Sequence, residues 1–183
     1  MKKIGIIMTI LSFFGCKSNQ PLETVKNVDL NKYVGKWYEI AAFPQRFEKG
    51  CSCVVAEYSI IDGKNYVSVT NSCFKAAENK TEIAKGKAFI VKGSNNAKLK
   101  VQFFWPFKGK YWIIELADDY SYVVVGHPNR NYLWILSRTK EMDSLLYEAI
   151  VQRIKNKGFD ITKIKKWTSH VTKFIFIHGQ KEN

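Results

Sequence analysis

The sequence predicts an all-β domain, arranged as an up-and-down β-barrel or a sandwich, with one helix near the C-terminus. The first observation is a series of eight short runs of strand-forming residues, joined by turns such as Asp62-Gly63. The second is alternation inside these runs, as in residues 99–103, where Leu99, Val101 and Phe103 share one face. The third is a later stretch with the spacing of an amphipathic helix.

The eight runs follow one another at short spacing, which is typical of barrels and sandwiches. They cover residues 35–42, 51–61, 66–73, 83–91, 99–103, 111–116, 120–126 and 132–138. In the fourth run, alternation turns Lys85 and Lys87 toward water and Ala84, Gly86 and Ala88 inward. Such small inner residues leave room for a cavity inside a barrel.

The helix is predicted between Thr139 and Gly158. Thr139 can serve as N-cap, Glu141 places a favourable negative charge in the first turn, and Gly158 ends the helix. An apolar stripe is expected to pack on the outside of the strands. It consists of Leu145, Leu146, Ala149, Ile150 and Ile154.

Trp37 and Arg138 are expected to meet at one end of the barrel. Trp37 opens the first run, two residues after Gly35, and Arg138 ends the last one. A guanidinium stacks well on an indole face. We therefore predict a structural Trp37–Arg138 contact that closes this end.

The N-terminus predicts export and lipidation. A basic Met1-Lys-Lys precedes eleven apolar residues, 4–14, too few to span a bilayer but suited to a signal peptide. Gly15-Cys16 then resembles the cleavage and lipidation site of a bacterial lipoprotein, although an ordinary signal cut elsewhere is the alternative. The predicted organisation is a signal peptide at 1–15, a tether at 16–29, the main domain at 30–170 and a tail at 171–183.

The formal net charge is +13, which admits nucleic acid or an anionic membrane surface as a partner. The lysines are spread along the chain, and the sequence has no zinc spacing, helix-turn-helix or glycine-rich phosphate loop. We therefore expect no nucleic-acid partner, and a solvated surface or a face toward anionic lipid headgroups.

Several motifs, in this order, carry a family resemblance. They include Gly35-Lys-Trp-Tyr-Glu-Ile-Ala, Gly109-Lys-Tyr-Trp and Tyr132-Leu-Trp-Ile-Leu-Ser-Arg-Thr. Residues 30–164 closely resemble the bacterial lipocalins, which are akin to apolipoprotein D and the plant temperature-induced lipocalins. The resemblance implies an eight-stranded antiparallel up-and-down β-barrel with a flanking helix. It also implies a fatty acid or lysophospholipid ligand, a role in envelope maintenance under stress, and a lipid-anchored outer-membrane location.

A barrel of eight strands can hold one slim apolar ligand. Burial of its acyl chain gains about 0.8 kcal/mol per methylene, and no cofactor is required. The alternative is that the same inner side chains form a sealed core. The predicted lining is Ala56, Tyr58, Val67, Val69, Ala88, Leu99, Val101, Phe103, Tyr132, Trp134 and Leu136.

Two orientations are open for the sixth run. Glu115 lies between Ile114 and Leu116, and it could face inward with Tyr111 and bind the polar end of a ligand. Burial would then raise the pKa of Glu115. In the other orientation Trp112, Ile114 and Leu116 face inward. We include Tyr111 and Glu115 among the candidate ligand-binding residues.

Cys51, Cys53 and Cys73 remain besides Cys16, and an exported protein can form a disulfide. The resemblance implies a Cys51–Cys73 bridge with Cys53 free. A two-residue turn at Asp62-Gly63 would put these two cysteines on opposite faces, so the bridge requires a bulge near Gly50 or Asn71.

Two other classes of function are weighed against lipid binding. A lipocalin-fold enzyme would use a cavity thiol such as Cys53, but no histidine is spaced as a triad partner or metal ligand. We expect no enzyme, no catalytic residue and no metal site. The other class is an interaction protein, a homodimer sharing mouth loops around Phe43 and Phe47.

Overall fold

The computed structural model of the chain describes residues 20–45 and 49–167, and only the backbone of Ser52 and Cys53. The strands are β1 Gly35–Ala42, β2 Cys51–Ile60, β3 Val67–Lys75, β4 Lys80–Ile90, β5 Lys98–Gln102, β6 Gly109–Leu116, β7 Tyr122–Gly126, β8 Leu133–Ser137 and β9 Lys165–Lys166. The α-helices are α1 Leu30–Tyr33 and α2 Ser144–Asn156, and short 3-10 turns span Ala76–Glu78 and Ile161–Lys163.

The predicted barrel is confirmed. Strands β1 to β8 each pair antiparallel with their sequence neighbours, and β1 also pairs with β8, which closes the sheet. The two-residue strand β9 is an addition that the sequence analysis did not predict, and it pairs with Ala41 and Ala42 of β1. Closure leaves the eight main strands without a free edge, which is how barrels avoid edge-to-edge association.

The up-and-down order sends successive connections to opposite ends of the barrel. We name one end the base; it holds α1 and the connections 61–66, 91–97 and 117–121. The other end is the mouth, which holds residues 43–45 and 49–50 and the connections 76–79, 103–108 and 127–132. A ligand that enters the barrel must pass the mouth, because α1 and the residues around it close the base.

Trp37 and Arg138 close the base, as the sequence predicted. Trp37 is fully buried, and the Arg138 guanidinium lies 3.7 Å from the centroid of its ring. The guanidinium also donates to the carbonyl oxygens of Lys36 at 2.8 Å, Lys32 at 2.6 Å and Tyr33 at 3.0 Å. The Trp37 indole N–H donates to the Tyr33 carbonyl at 2.8 Å. The Arg138 side chain, directly after β8, thus joins α1 and β1.

Two apolar layers lie on either side of the sheet. The inner layer fills the lower barrel, and the outer layer packs Ile150 and Ile154 of α2 against β7 and β8. Phe159, just after α2, approaches the sheet at Gly126, where an added Cβ would lie 2.7 Å from its ring. The helix therefore packs on the outside of the barrel, as predicted.

The helix begins later than predicted. Asp143, and not Thr139, caps α2, because its carboxylate accepts from the Leu146 N–H at 2.9 Å. Thr139 instead donates to the Glu141 carbonyl at 2.6 Å within the preceding turn. Gly158 follows the end of the helix with a φ of +84°, a conformation that glycine adopts at low cost.

The predicted tether extends too far into the chain. Leu22 and Val28 are buried, and the Val25 N–H donates to the Ile113 carbonyl at 3.0 Å. Residues 20–29 thus run along the barrel, since these apolar side chains gain free energy by burial. The predicted signal peptide, Cys16 and the tail at 171–183 lie outside the described residues.

Cys51 and Cys73 form the predicted disulfide. The β2–β3 pairing begins at Ile60 and Val67, so the connection is longer than the two-residue turn that Asp62-Gly63 suggested. A bulge between Cys51 and Cys53 shifts the register by one residue. This shift brings Cys51 onto the same face as Cys73, as the bridge requires.

Replacing Arg138 with alanine should lower the free energy of unfolding by on the order of 3 kcal/mol, since charged hydrogen bonds and a cation–π contact are lost. Arg138→Lys should recover only part of this, because an ammonium lacks the planar fork. Urea unfolding measures the free energy of unfolding of both variants. Lys140→Ala, at an exposed position nearby, is the control; equal losses for Arg138→Ala and Lys140→Ala would contradict the assigned role.

Candidate functional site: the barrel interior

The barrel interior holds eleven of the thirteen candidate ligand-binding residues. Strand alternation directs them inward, where they belong to or pack against one apolar cluster. They are Ala56, Tyr58, Val67, Val69, Ala88, Leu99, Val101, Phe103, Tyr111, Trp134 and Leu136.

The interior becomes more accessible from base to mouth. On the inner face of β4, Ala88 is fully buried, Gly86 is half-buried and Ala84 is exposed. On β3, Val69 is buried and Asn71, which pairs with Ala84, is only half-buried. The apolar interior is therefore sealed below and reaches solvent at the mouth.

The small residues of β4 do not all leave empty space. A Cβ added at Gly86 would lie 2.9 Å from the ring of Phe103, on the neighbouring strand. Phe103 therefore occupies the volume that Gly86 vacates. The expectation that this glycine leaves room for a ligand is wrong, whereas Ala84, two residues closer to the mouth, is exposed.

Three tyrosine hydroxyls meet near the base. Tyr111 lies 2.7 Å from the hydroxyl of Tyr33 and accepts from Tyr58 at 3.0 Å. Tyr33 also contacts the Trp37 ring, with centroids 5.2 Å apart. We name Tyr33, Tyr58 and Tyr111 the tyrosine cluster. The sequence analysis missed Tyr33, because the short helix α1 that carries it was assigned to no element.

Burial keeps the tyrosine cluster neutral. Desolvation raises the pKa of Tyr58 to about 12, although its hydrogen bond to Tyr111 opposes the shift. Desolvation also raises the pKa of Tyr33 and Tyr111 well above the ordinary tyrosine value. The two neighbouring tyrosines add to the shift of Tyr111, whereas the hydrogen bond to Tyr111 partly opposes that of Tyr33. The cluster therefore offers neutral hydroxyls to the interior over the physiological pH range.

Glu115 lies outside the barrel, so its predicted place in the ligand site is wrong. Its carboxylate accepts from Arg153 of α2 at 2.6 Å and from the Tyr122 hydroxyl at 2.9 Å. A bulge between Ile113 and Glu115 leaves Tyr111 inside and turns both Ile114 and Glu115 outward. Neither predicted orientation of this run was right throughout, because each assumed unbroken alternation.

Tyr132 is also misplaced in the predicted lining. It precedes β8, is 40% exposed and stacks on Trp134 with centroids 6.2 Å apart. It belongs to the mouth connection 127–132, where its ring also lies 5.7 Å, centroid to centroid, from that of His127. Phe43 is buried against Phe159, so it cannot take part in the predicted dimer contact at the mouth; Phe47 lies outside the described residues.

Asn71 adds a polar group that the sequence analysis did not select. Its Oδ1 atom is buried and makes no hydrogen bond to any described residue. The alternation of β3, with Val67 and Val69 inward, was the signal that could have identified it. An unpaired buried acceptor costs free energy, and a ligand donor would remove that cost.

No group of residues suited to hold a metal ion occurs within ranges 20–45 and 49–167. No described helix is long and apolar enough to cross a membrane. Since the Cys53 side chain is not described, the thiol-enzyme alternative stays untested.

The free energy of unfolding should fall as the pH rises from about 10 toward 12. The folded chain retains the Tyr58 proton up to a pKa of about 12, whereas the unfolded chain releases it near pH 10. Tyr58→Phe should make the fall shallower by about 1.4 kcal/mol per pH unit. Urea unfolding at several pH values measures this slope. An equal change in the control Tyr132→Phe would contradict the assignment.

Comparison with known proteins identifies related sequences over most of the chain. The profile of the lipocalin-like domain matches residues 28–169. The outer membrane lipoprotein Blc of Vibrio cholerae serotype O1 is 37% identical over 166 residues, covering 90% of this chain and 96% of that protein. Temperature-induced lipocalin-1 of Arabidopsis thaliana is 33% identical, covering 79% and 81%.

Solved structures agree on the fold. Insecticyanin from the tobacco hornworm Manduca sexta superposes with a TM-score of 0.64 at 24% identity, covering 80% of this chain and 84% of that one. Apocrustacyanin A1 of lobster gives a TM-score of 0.60 at 20% identity, covering 81% and 90%.

Proposed function

Because this chain belongs to the lipocalin family, we propose that its barrel binds the acyl chain of a fatty acid or lysophospholipid. The observation that carries the proposal is the graded interior, apolar and sealed at Trp37 and accessible at Ala84. We propose a carrier or binding protein of the cell envelope and not an enzyme.

The acyl chain supplies the affinity. Each methylene moved from water to the interior contributes about 0.8 kcal/mol, so twelve to sixteen of them supply on the order of 10 kcal/mol before the costs of association. Aromatic and aliphatic side chains such as Leu99, Val101 and Trp134 offer the contacting surface.

The charged headgroup stays at the mouth. No lysine or arginine is buried among the described residues, and the Arg138 guanidinium at the base already donates to three carbonyl oxygens. A carboxylate or phosphate carried to the base would therefore lose its hydration without gaining a free counter-ion. At the mouth it remains hydrated and lies near Asn71, whose buried Oδ1 can accept from a headgroup donor.

The tyrosine cluster can accept or donate one further hydrogen bond. Three hydroxyls carry three protons and make two hydrogen bonds with one another, so one proton is left over. A polar atom along the ligand chain, such as a hydroxyl, would pair with it. We therefore expect hydroxylated chains to bind at least as well as plain ones of equal length.

The names of the relatives and the N-terminal sequence support an outer-membrane location for this protein. The proteins of Vibrio cholerae and Escherichia coli are named outer membrane lipoproteins. We propose that Cys16 of this chain is likewise lipidated after cleavage and anchors it in the outer membrane, where a lipid carrier serves envelope maintenance under stress. A single acyl chain anchors weakly, whereas several anchor stably.

A titration of tryptophan fluorescence tests the ligand. Palmitate and a lysophospholipid are added separately to residues 17–183, which retain every described residue. Saturable quenching or a blue shift is expected, and it should disappear in Trp134→Phe. Ligands longer by one methylene should bind about fourfold more tightly until the interior is full. Absence of any saturable binding by the folded protein would refute the proposal.

Ala84→Trp should obstruct the mouth and weaken palmitate binding at least tenfold. Ala84 is exposed and faces inward, so the larger side chain can be accommodated without disturbing the buried layer. Lys85→Trp is the matched control, since the adjacent side chain points outward. A dye-displacement assay avoids the added fluorescence. Equal affinities of the two variants would argue against entry at the mouth.

A further inference from the structure

A cluster of aromatic side chains stands in solvent at the mouth. In the connection between β5 and β6, Phe104 is 76% exposed, Trp105 85% and Phe107 77%. A turn in which the Phe107 N–H donates to the Phe104 carbonyl at 2.9 Å presents all three rings together. We name residues 103–108 the aromatic loop. Apolar clusters of this kind mark interaction sites.

Lysines surround the aromatic loop. The outer faces of β4, β5 and the start of β6 adjoin it, and Lys100 stands directly opposite Lys110 in the β5–β6 pairing. Like charges in such positions repel each other. We name four of these lysines the lysine face: Lys85, Lys100, Lys108 and Lys110. Lys87 and Lys98 lie toward the base, since the Lys87 ammonium is 4.9 Å from the centroid of the Tyr66 ring and Lys98 directly follows the base connection 91–97.

No described carboxylate forms an ion pair with the lysine face. The Glu82 carboxylate, on β4, instead forms an ion pair with the Lys75 ammonium at 2.7 Å. The Lys108 ammonium lies 4.0 Å from the centroid of the Phe89 ring. Repulsion within this face would be relieved by an external anionic surface.

The charge of the barrel differs between its two ends. Among the described mouth connections, Glu78 is the single acidic residue. The base connections and the segment 138–143 before α2 carry five acidic residues, Asp62, Asp118, Asp119, Glu141 and Asp143, and four basic ones, Lys64, Lys92, Arg138 and Lys140. The described mouth connections carry three basic residues against Glu78, so they are net positive whereas these base segments are net negative. An anionic surface therefore attracts the mouth and repels the acidic side chains of the base.

Gln20, the first described residue, lies at the mouth end of the barrel. The Arg130 guanidinium, in the mouth connection 127–132, donates to the Gln20 carbonyl at 2.7 Å. Cys16 is four residues earlier, which is at most about 14 Å of extended chain. A lipid on Cys16 would thus hold the mouth, and not the base, next to the bilayer. This step rests on the proposed lipidation.

We propose that the mouth is a membrane-docking surface for an anionic lipid bilayer. The aromatic loop enters the interfacial layer, where tryptophan rings are favoured, and the lysine face lies against anionic headgroups. Docking places the opening near Ala84 next to lipid, so that an acyl chain moves between bilayer and barrel with little exposure to water.

Vesicle flotation tests docking without the anchor. Residues 17–183 are mixed with vesicles of phosphatidylcholine, with or without phosphatidylglycerol. We expect binding that is at least tenfold stronger to the anionic vesicles and that weakens at high salt. A combined Phe104→Ser, Trp105→Ser and Phe107→Ser variant should lose at least tenfold. Leu145→Ser, which removes a 74% exposed side chain from α2, should bind like the parent protein.

Two further variants separate the contribution of the aromatic loop to vesicle binding from that of the lysine face. Trp105→Phe should retain binding but lose most of the blue shift in tryptophan emission on adding vesicles, because Trp105 would be the ring that enters the bilayer. Lys108→Glu combined with Lys110→Glu should weaken binding to the anionic vesicles and leave binding to pure phosphatidylcholine vesicles unchanged. Lys92→Glu combined with Lys140→Glu, at the base, is the matched control and should change binding little.

The outcomes separate docking from ligand binding. No vesicle binding by a protein that still binds palmitate would overturn docking and leave the proposed ligand intact. Vesicle binding without palmitate binding would support docking and refute the ligand. If the triple serine variant instead converts a dimer to a monomer in light scattering and leaves vesicle binding unchanged, the aromatic loop is a subunit interface and docking is overturned.

Discussion

The contact between Arg138 and Trp37 is the constraint on which the rest of the barrel depends. The guanidinium covers the indole ring at 3.7 Å and at the same time joins β8 to the carbonyl oxygens of α1 and β1. These elements are about a hundred residues apart in sequence. Because the contact seals the base, the apolar interior has its opening at the other end, and the ends of the barrel acquire different chemistry.

That difference connects the inner and outer surfaces of the molecule. Inside, the neutral tyrosine cluster lies near the sealed end and accessible small residues lie near the mouth. Outside, the acidic base connections contrast with the aromatic loop and the lysine face at the other end. The proposed acyl-chain site and the proposed docking surface thus meet at one place, and the proposed anchor at Cys16 leads to it.

Much of the fold and of the interior could be predicted from alternation. Residues such as Val67, Val69 and Leu99 lie inside because regular strands turn every second side chain inward. The failures occur where the alternation breaks or where no strand exists. Glu115 follows a bulge, and Tyr33 belongs to a short helix with no periodicity of its own. The space beside Gly86 is taken by Phe103, a neighbour in space and not in sequence.

The sequence by itself determined the succession of eight strands, the Trp37–Arg138 pair and the class of side chain on most strand faces, because these follow from local periodicity. The closed up-and-down barrel was predicted from the family motifs and not from periodicity. The tertiary structure alone decided where the bulges of β2 and β6 lie, and with them the register that joins Cys51 to Cys73 and turns Glu115 toward Arg153. A bulge shifts every later side chain by one position, and its place depends on barrel closure and on packing against α2, which are contacts between distant parts of the chain.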